Sequence, residues 1–214
     1  MSQLKSITAQ KAPLRLIAAF SLWLMVVCAA TVQMIHYANT PGATTPAPVA
    51  WPKATSISRS ENRPTLVMFA HPHCPCTRAS LGELERLLAQ APGQLDVHVV
   101  FLKPFTTPPD WEKTDLWRKA SSIPNVTVHV DDAGTEARCF HAQTSGQTLL
   151  YDAAGHLRFE GGITLARGHA GDNAGRSAVL QLLNGENPNN ARTPVFGCSL
   201  ATTQCPQGDA LCKP

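Results

Sequence analysis

Two cysteines separated by one proline, Cys74-Pro75-Cys76, stand where a run of strand formers gives way to an amphipathic helical pattern, within Phe69-Ala70-His71-Pro72-His73-Cys74-Pro75-Cys76-Thr77-Arg78. The thiolate is the reactive form of cysteine, and the unpaired N–H groups and macrodipole of a helix N-terminus favour it. His71 and His73 are close enough in sequence to add positive charge or to relay a proton. A disulfide enclosing a single residue is strained and easily reduced, which suits a redox couple better than a structural bridge. The same thiols, with His71, His73 or the distant His169, also form a soft donor set that suits Cu(I). The chain holds eight histidines, so some proximity of this kind arises by chance.

The elements that must hold this motif follow from periodicity. Thr65-Leu66-Val67-Met68-Phe69 is a continuous apolar run, the pattern of a strand buried on both faces. Pro75 fits the first turn of a helix, where its missing N–H costs nothing. Leu81, Leu84, Leu87, Leu88 and Ala91 then recur at helical spacing until Pro92-Gly93 stops the pattern. Val97 to Leu102 reads as a second strand. The resulting strand, helix, strand unit puts the cysteines at the carboxyl end of the first strand, the edge at which open α/β sheets place their sites.

Further on, Pro108, Pro109 and Asp110 predict the start of a short helix through Trp111, Leu116, Trp117 and Ala120, with core packing as the default role of both tryptophans. Val126 to Val130 predicts a strand, Ala133 to about Ala142 a helix carrying Cys139 and His141, and Thr148 to Tyr151 and Leu157 to Glu160 two more strands. Asp152-Ala153-Ala154-Gly155 between the last two is a hairpin turn, so that pair is antiparallel. A glycine-rich loop from Gly161 to Gly171 leads to Asp172 or Asn173 as the cap of a closing helix. His169, Asp172, Asn173 and Arg176 form the most polar cluster outside the motif, and helix capping explains it.

From Leu16 to Ile35 the chain carries no formal charge and is strongly apolar. As a helix it reaches the ~30 Å of a bilayer's hydrocarbon core. Lys5, Lys11 and Arg15 precede it, and the positive-inside rule keeps that end in the cytoplasm and exports the rest. The expectation is a signal anchor, with Cys28-Ala29-Ala30 as the competing cleavage site. Of 18 basic and 15 acidic residues overall, those three basic ones account for the whole excess. The exported part is therefore neutral and gives no basis for a nucleic-acid partner. His36 to Arg59, rich in Pro, Thr and Ala, reads as a semi-extended spacer.

The chain has seven cysteines, and Cys28 lies in the apolar segment. The other six allow 15 pairings in an oxidising compartment. Cys198, Cys205 and Cys212 occupy a polar, turn-rich tail, read as stapled or redox-active. No phosphate-loop motif, Ser/His/Asp triad or recognisably spaced pair of catalytic carboxylates is evident.

On these residues the chain resembles the thioredoxin superfamily, specifically the membrane-anchored TlpA/ResA-like thiol-disulfide oxidoreductases. The tail and the His71 to Arg78 segment also look like RedB-like proteins. Leu66 to Leu88 is similar to the family's first strand, cysteines and helix, and Val126 to Ile163 to its later strands. The resemblance implies a mixed four- or five-stranded sheet with helices on both faces, Cys74 as the attacking thiolate, and Cys76 or Cys198 as the resolving thiol. It implies as partners a client protein with thiols or a disulfide, and an electron donor that it does not name.

Three departures stand out. One residue instead of two separates the cysteines, with Thr77 at the family's second cysteine position and His73 in place of a tryptophan. Ser145-Gly146-Gln147 occupies the place of the family's cis-proline, which shapes the substrate groove and discourages metal binding. The cysteine-bearing tail is extra. The expected organisation is a cytoplasmic N-terminus (1–15), a transmembrane anchor (16–35), a linker (36–59), a thioredoxin-like domain (60–185) and a tail (186–214). The expected activity is thiol-disulfide exchange without a cofactor, on the periplasmic or extracytoplasmic side of the cell membrane. A copper-binding protein using Cys74, Cys76, His71, His73 and His169 is the alternative.

Overall fold

The computed structural model describes residues 14–105 and 107–200. Lys5, Lys11, Cys205 and Cys212 therefore lie outside the described residues. The chain divides into two compact units between Ala38 and Asn39. The first consists of helix α1 (Leu14–Asn39), exposed along its length and long and apolar enough to cross a membrane. Its 26 residues extend the apolar stretch expected at 16–35 by a few residues at each end.

The second unit is built on strand β1 (Thr65–Ala70), whose six residues are all buried. Strand β2 (Asp96–Lys103) runs parallel to it, from Thr65 opposite Asp96 to Ala70 opposite Phe101, and β3 (Val126–Asp132) lies parallel outside β2. On the other side β4 (Thr148–Tyr151) is antiparallel to β1, and β5 (Leu157–Gly161) is antiparallel to β4. The order β3-β2-β1-β4-β5, with a parallel βαβ start and an antiparallel hairpin finish, is the thioredoxin-like fold expected from the sequence.

Side chains alternate across a strand, so β1 serves two cores. Leu66, Met68 and Ala70 face helix α2 (Pro75–Gln90), whose Leu81, Leu84 and Leu87 form a buried stripe, together with Val179 of α5 (Ala174–Leu183) and Leu116 of α3 (Asp115–Ser122). Val67 and Phe69 face the opposite layer, where Phe140 stands just beyond the short helix α4 (Thr135–Cys139).

Two boundaries differ from expectation. Helix α3 starts at Asp115 because Thr114 caps it, its hydroxyl accepting from Leu116 N at 3.2 Å, whereas Asp110 sits in the left-handed region at φ 61°. Helix α4 stops at Cys139, and His141 is left-handed at φ 56°. The hairpin turn is as expected, with Gly155 at φ 87°.

The segment read as a spacer is largely a packed element. Ala47 and Ile57 are buried in the second core, and Trp51 meets Phe140 and Tyr151 edge-on with ring centroids 5.1 Å apart in each case. Tyr151 donates its hydroxyl to Pro48 O at 2.9 Å. Ser56 donates both its N–H and its hydroxyl to Glu136 Oε1, at 2.9 and 2.7 Å, and Thr55 donates to the other oxygen. Its proline content predicts an extended backbone, and the apolar side chains it carries decide that the extended chain lies on the sheet rather than in solvent.

Candidate thiol site

Cys74 is the N-cap of α2, in extended backbone at φ −87° and ψ 119°, and Pro75 opens the helix. The turn that carries the chain from β1 to α2 is closed by Cys74 N donating to His71 O at 3.1 Å, and Thr77 N donates to Cys74 O at 3.0 Å. Cys74 is 1% exposed and Cys76 9%.

Ser145, at the expected position of the cis-proline, ties this turn to β4. Its hydroxyl accepts from His71 N at 2.9 Å and bonds the Thr77 hydroxyl at 2.8 Å, and Thr77 donates to His71 O at 3.1 Å. Gly146, left-handed at φ 91°, donates its N–H to Phe69 O at 2.7 Å. No peptide bond among the described residues is cis. A serine at this point fixes the loop with its hydroxyl and keeps a backbone N–H, which a proline lacks.

That N–H is used. Residues 192–200 cross the site as a strap: Thr193 donates its hydroxyl to Gly162 O at 2.7 Å, Val195 and Phe196 are buried, and Leu200 N donates to Gln143 O at 2.8 Å. Thr144 and Ser199 pair antiparallel, and Ser145 N donates to Cys198 O at 2.8 Å. Gly197 lies so close to Ser145 that a Cβ there would stand 1.9 Å from the Ser145 carbonyl oxygen. The pairing brings Cys198 N to 3.4 Å from Cys74 Sγ. The tail expected at 186–214 is thus, as far as Leu200, a fixed part of the domain.

Three thiols meet here, and their surroundings differ. Burial by itself pushes the Cys74 thiol up. Hydrogen bonds from the Cys198 side chain and backbone, and from the backbone of Cys76 and Thr77, outweigh it and hold the thiol below its ordinary value. Burial raises Cys76, and its charge repulsion and hydrogen bond with Cys74 raise it further, against Arg167 and the Gly168 N–H. Cys198 is pushed up to about 12 by burial, by its hydrogen bond to Cys74 and by the charges of Cys74 and Cys76, with Arg167 opposing. One thiolate is therefore stabilised at Cys74, with two protonated thiols beside it.

His71 and His73 pack on Trp111, with ring centroids 5.6 and 4.5 Å from the indole. His71 Nδ1 accepts from His73 N at 3.1 Å, and His73 Nε2 lies 3.1 Å from Trp111 O. Burial, then His73, lowers the His71 pKa. His169 is exposed, with Nδ1 2.8 Å from Arg167 O. Among the described residues no three His, Cys, Asp or Glu side chains are gathered as a metal-holding group.

The polar cluster at the closing helix has a structural partner that sequence reading missed. Glu83 of α2 is fully buried, accepts from Gly171 N at 2.8 Å and Asn173 Nδ2 at 3.2 Å, and pairs with Arg176 at 2.5 Å and Arg86 at 2.6 Å. Asn173 caps α5 by accepting from Arg176 N at 2.8 Å. This network fixes the loop that presents Gly168 and Arg167 to the cysteines, and Arg167 donates to Gly197 O. Arg167 was also missed, a lone cation in a glycine-rich loop being its only available signal, and Ser145 was legible only as the residue in the place of the family's cis-proline. Cys139 lies half-buried at the end of α4, where burial raises its thiol, and His141 Nδ1 is 2.9 Å from Pro46 O.

No family model and no curated protein matches the chain. Among solved structures, a hypothetical protein, SMc02350, of Sinorhizobium meliloti 1021 aligns with a TM-score of 0.56 at 19% identity, covering 75% of this chain and 93% of that one. An uncharacterized conserved protein of Geobacillus kaustophilus gives 0.55 at 18% identity, over 76% and 92%. A secreted disulfide oxidoreductase of Mycobacterium tuberculosis aligns at 0.41 and 14% identity, over 59% and 83%. The first two likenesses support the fold and say nothing of activity.

Proposed function

We propose that the chain is an exported, membrane-tethered thiol-disulfide oxidoreductase whose working couple is Cys74 with Cys198. The observation that carries this reading is the Cys198 N–H 3.4 Å from Cys74 Sγ, which sets the strap cysteine directly beside the buried sulfur. A thiolate held at a helix N-terminus by several donors exchanges readily, and the backbone that carries its partner thiol is already hydrogen-bonded to it. Cys76 is a second partner on the helix side. Its one-residue spacing closes a strained ring with Cys74, so the strap cysteine is the better mate.

The client is an exported protein with thiols or a disulfide, and α1 tethers the domain with residues 1–15 in the cytoplasm and the rest outside. The tail and motif features that resemble RedB-like proteins belong to the same reading. Copper binding gains no support over exchange, because His71 and His73 are engaged with Trp111 and with each other.

The test is redox equilibration of the purified full-length chain, in detergent, in glutathione buffers of graded potential, with peptide mapping of every disulfide. The expected result is a single two-electron transition linking Cys74 to Cys198. A chain in which Cys74 stays a thiol across the whole range is not an oxidoreductase of this kind.

A further inference from the structure

The three thiols differ in burial as much as in charge. Cys74 is 1% exposed and Cys76 9%, whereas Cys198 is only half-buried and is followed by the exposed Ser199. The covering over Cys74 is built in. The strap is anchored on one side of Cys198 by buried Val195 and Phe196 and on the other by buried Leu200, and it is paired through its backbone with Gln143, Thr144 and Ser145. An incoming thiol or disulfide meets the strap before it meets the motif.

From this geometry we infer that Cys198, not Cys74, is the sulfur that bonds to the client, so that the mixed disulfide of this protein forms on the strap and Cys74 serves as the buried internal partner. The inference rests on the Cys74–Cys198 couple proposed above. In the discharging direction a client thiolate attacks Cys198 Sγ of the Cys74–Cys198 disulfide. The client–Cys198 bond forms, the Sγ–Sγ bond breaks, and its electron pair leaves with Cys74 as a thiolate. A second client thiolate then attacks the client sulfur of the mixed disulfide, forming the client disulfide and expelling Cys198, which takes a proton. Two client thiols lose two electrons, and the protein couple gains them.

In the opposite direction the same bonds are made and broken in reverse order: Cys198 attacks the client disulfide, and Cys74 attacks Cys198 Sγ and releases the client thiol. The site is arranged for this division. In exchange, the sulfur that is more accessible is attacked, and the sulfur that is the better-stabilised thiolate leaves. Cys198 has the access, and Cys74 has the donors: the N–H groups of Cys76, Thr77 and Cys198 itself. A client that must pair with Cys198 also meets Arg167, whose guanidinium reaches the neighbouring Gly197 carbonyl. The surface offered is thus a short extended strap edge beside a cation, suited to an unstructured client segment rather than a deep groove.

The experiment uses the full-length chain carrying Cys76→Ser, so that the neighbouring motif thiol cannot compete with Cys74 and Cys198, and the mapping resolves every other cysteine. The oxidised protein is mixed with reduced glutathione, acid-quenched on the millisecond to second scale, alkylated and mapped by mass spectrometry. The expected adduct is glutathione on Cys198 with alkylated Cys74, at least about tenfold over the reverse arrangement. Glutathione on Cys74 with alkylated Cys198 overturns the inference and leaves the couple intact. A starting protein with no Cys74–Cys198 disulfide overturns the couple itself.

A second arm gives stable products even if the adduct is too short-lived to quench. In the same background, Cys74→Ser and Cys198→Ser variants are exposed to oxidised glutathione under denaturant-free conditions. Cys198 in the first variant is expected to be glutathionylated to completion, and Cys74 in the second at least about tenfold more slowly. Equal rates, or faster modification of Cys74, overturn the inference, as does the absence of any adduct on Cys198.

Discussion

Residues 39–59 and 192–200 approach the sheet from opposite ends of the chain, and both look like surplus in the sequence, yet they do different work. The first segment inserts Ala47, Trp51 and Ile57 into the core under Phe140 and Tyr151 and is pinned to Glu136. The second is held by backbone pairing to Thr144 and Ser145 and carries a thiol to Cys74. Both segments bury apolar side chains and pair through their backbones, Ala50 with His156 in the first and Ser199 with Thr144 in the second, and Gly42 N donates to Val195 O between them at 2.8 Å. What differs is the load each carries: the first buries aromatic surface, which adds stability, and the second sets a cysteine beside a buried thiol, which adds the position that exchange chemistry needs.

The sharpest way to break that distinction is a pair of substitutions. Cys198→Ser is expected to lower the rate of disulfide exchange with glutathione by more than about a hundredfold while leaving the urea midpoint near that of the parent, because an oxygen replaces a half-buried sulfur in a side chain of similar shape. Trp51→Ala is expected to do the reverse, destabilising the domain by about 3 kcal/mol through loss of ring contacts and a residual cavity, with the alkylation rate of Cys74 unchanged. If Trp51→Ala slows exchange as much as Cys198→Ser does, the two segments are one cooperative unit and the comparison fails.

Glycines in the two segments give a finer version. A Cβ at Gly197 would meet the Ser145 carbonyl oxygen at 1.9 Å, a backbone atom that cannot rotate away. A Cβ at Gly42 would meet the Thr144 side chain, Oγ1 at 2.4 Å, Cγ2 at 2.5 Å and Cβ at 3.0 Å, and because a β-branched side chain fills two of its three staggered positions in any rotamer, the Gly42 loop must shift away from Thr144, at the cost of the Thr144 bond to Ala43 O. Gly197→Ala is therefore expected to cost about 2 kcal/mol and to lift the strap, withdrawing the Cys198 donors so that the Cys74 thiol titrates higher. Gly42→Ala is expected to cost about 1 to 3 kcal/mol through the same kind of overpacking and to leave that titration where it was, since the clash falls on a side chain and not on the backbone that positions Cys198. Iodoacetamide rates against pH, read by mapping Cys74, report both variants.

How much of this the sequence carried depends on what holds each piece. Strand β1 and helix α2 were legible because their burial is written in local periodicity: Leu66, Val67, Met68 and Phe69 for a strand, Leu81, Leu84 and Leu87 for a helix stripe. The hairpin was legible because Gly155 sets the turn. Helix α3 was misplaced at its start because Pro108, Pro109 and Asp110 look like a cap, whereas Thr114 also donates to Pro72 O at 2.9 Å, a contact 42 residues away in the chain. Trp111 went to the histidines for the same reason: its partners are remote in sequence.

Within the site, Cys74 was legible as a residue and a role, from its place between strand and helix. Cys198 was legible only as one of two candidate partners for it, and the backbone contact that sets it beside Cys74 was not, because residues 192–200 have no helical or strand period. The clue was Val195-Phe196 and Leu200, three apolar side chains in a polar tail with a glycine between them. Ser145 was visible only as the absence of a proline. Its hydroxyl's partners, His71 N and Thr77, come from a turn assembled by the fold.

The two segments should also answer to different parts of the pH scale. The first is pinned to Glu136 on α4, and α4 begins where Asp131, buried, accepts from Glu136 N at 2.7 Å and Ala137 N at 3.0 Å. Burial outweighs those bonds and pushes the Asp131 carboxyl up to about 6. A carboxyl raised in the folded state contributes stability that is complete below its unfolded value and is lost as pH rises through about 6. At the strap the sign is opposite: the Cys74 thiol is lowered, so its contribution is present at alkaline pH and fades as pH falls through the folded value. Urea unfolding of the parent and of Asp131→Asn between pH 4 and 7 separates the two. The gap between the proteins is expected to shift in favour of Asp131→Asn as pH rises, by about 1 to 2 kcal/mol, while Cys74 alkylation stays identical in both. A constant gap across that range would mean that Asp131 stays ionised as a helix cap, and that the acid-side anchor of the first segment lies elsewhere.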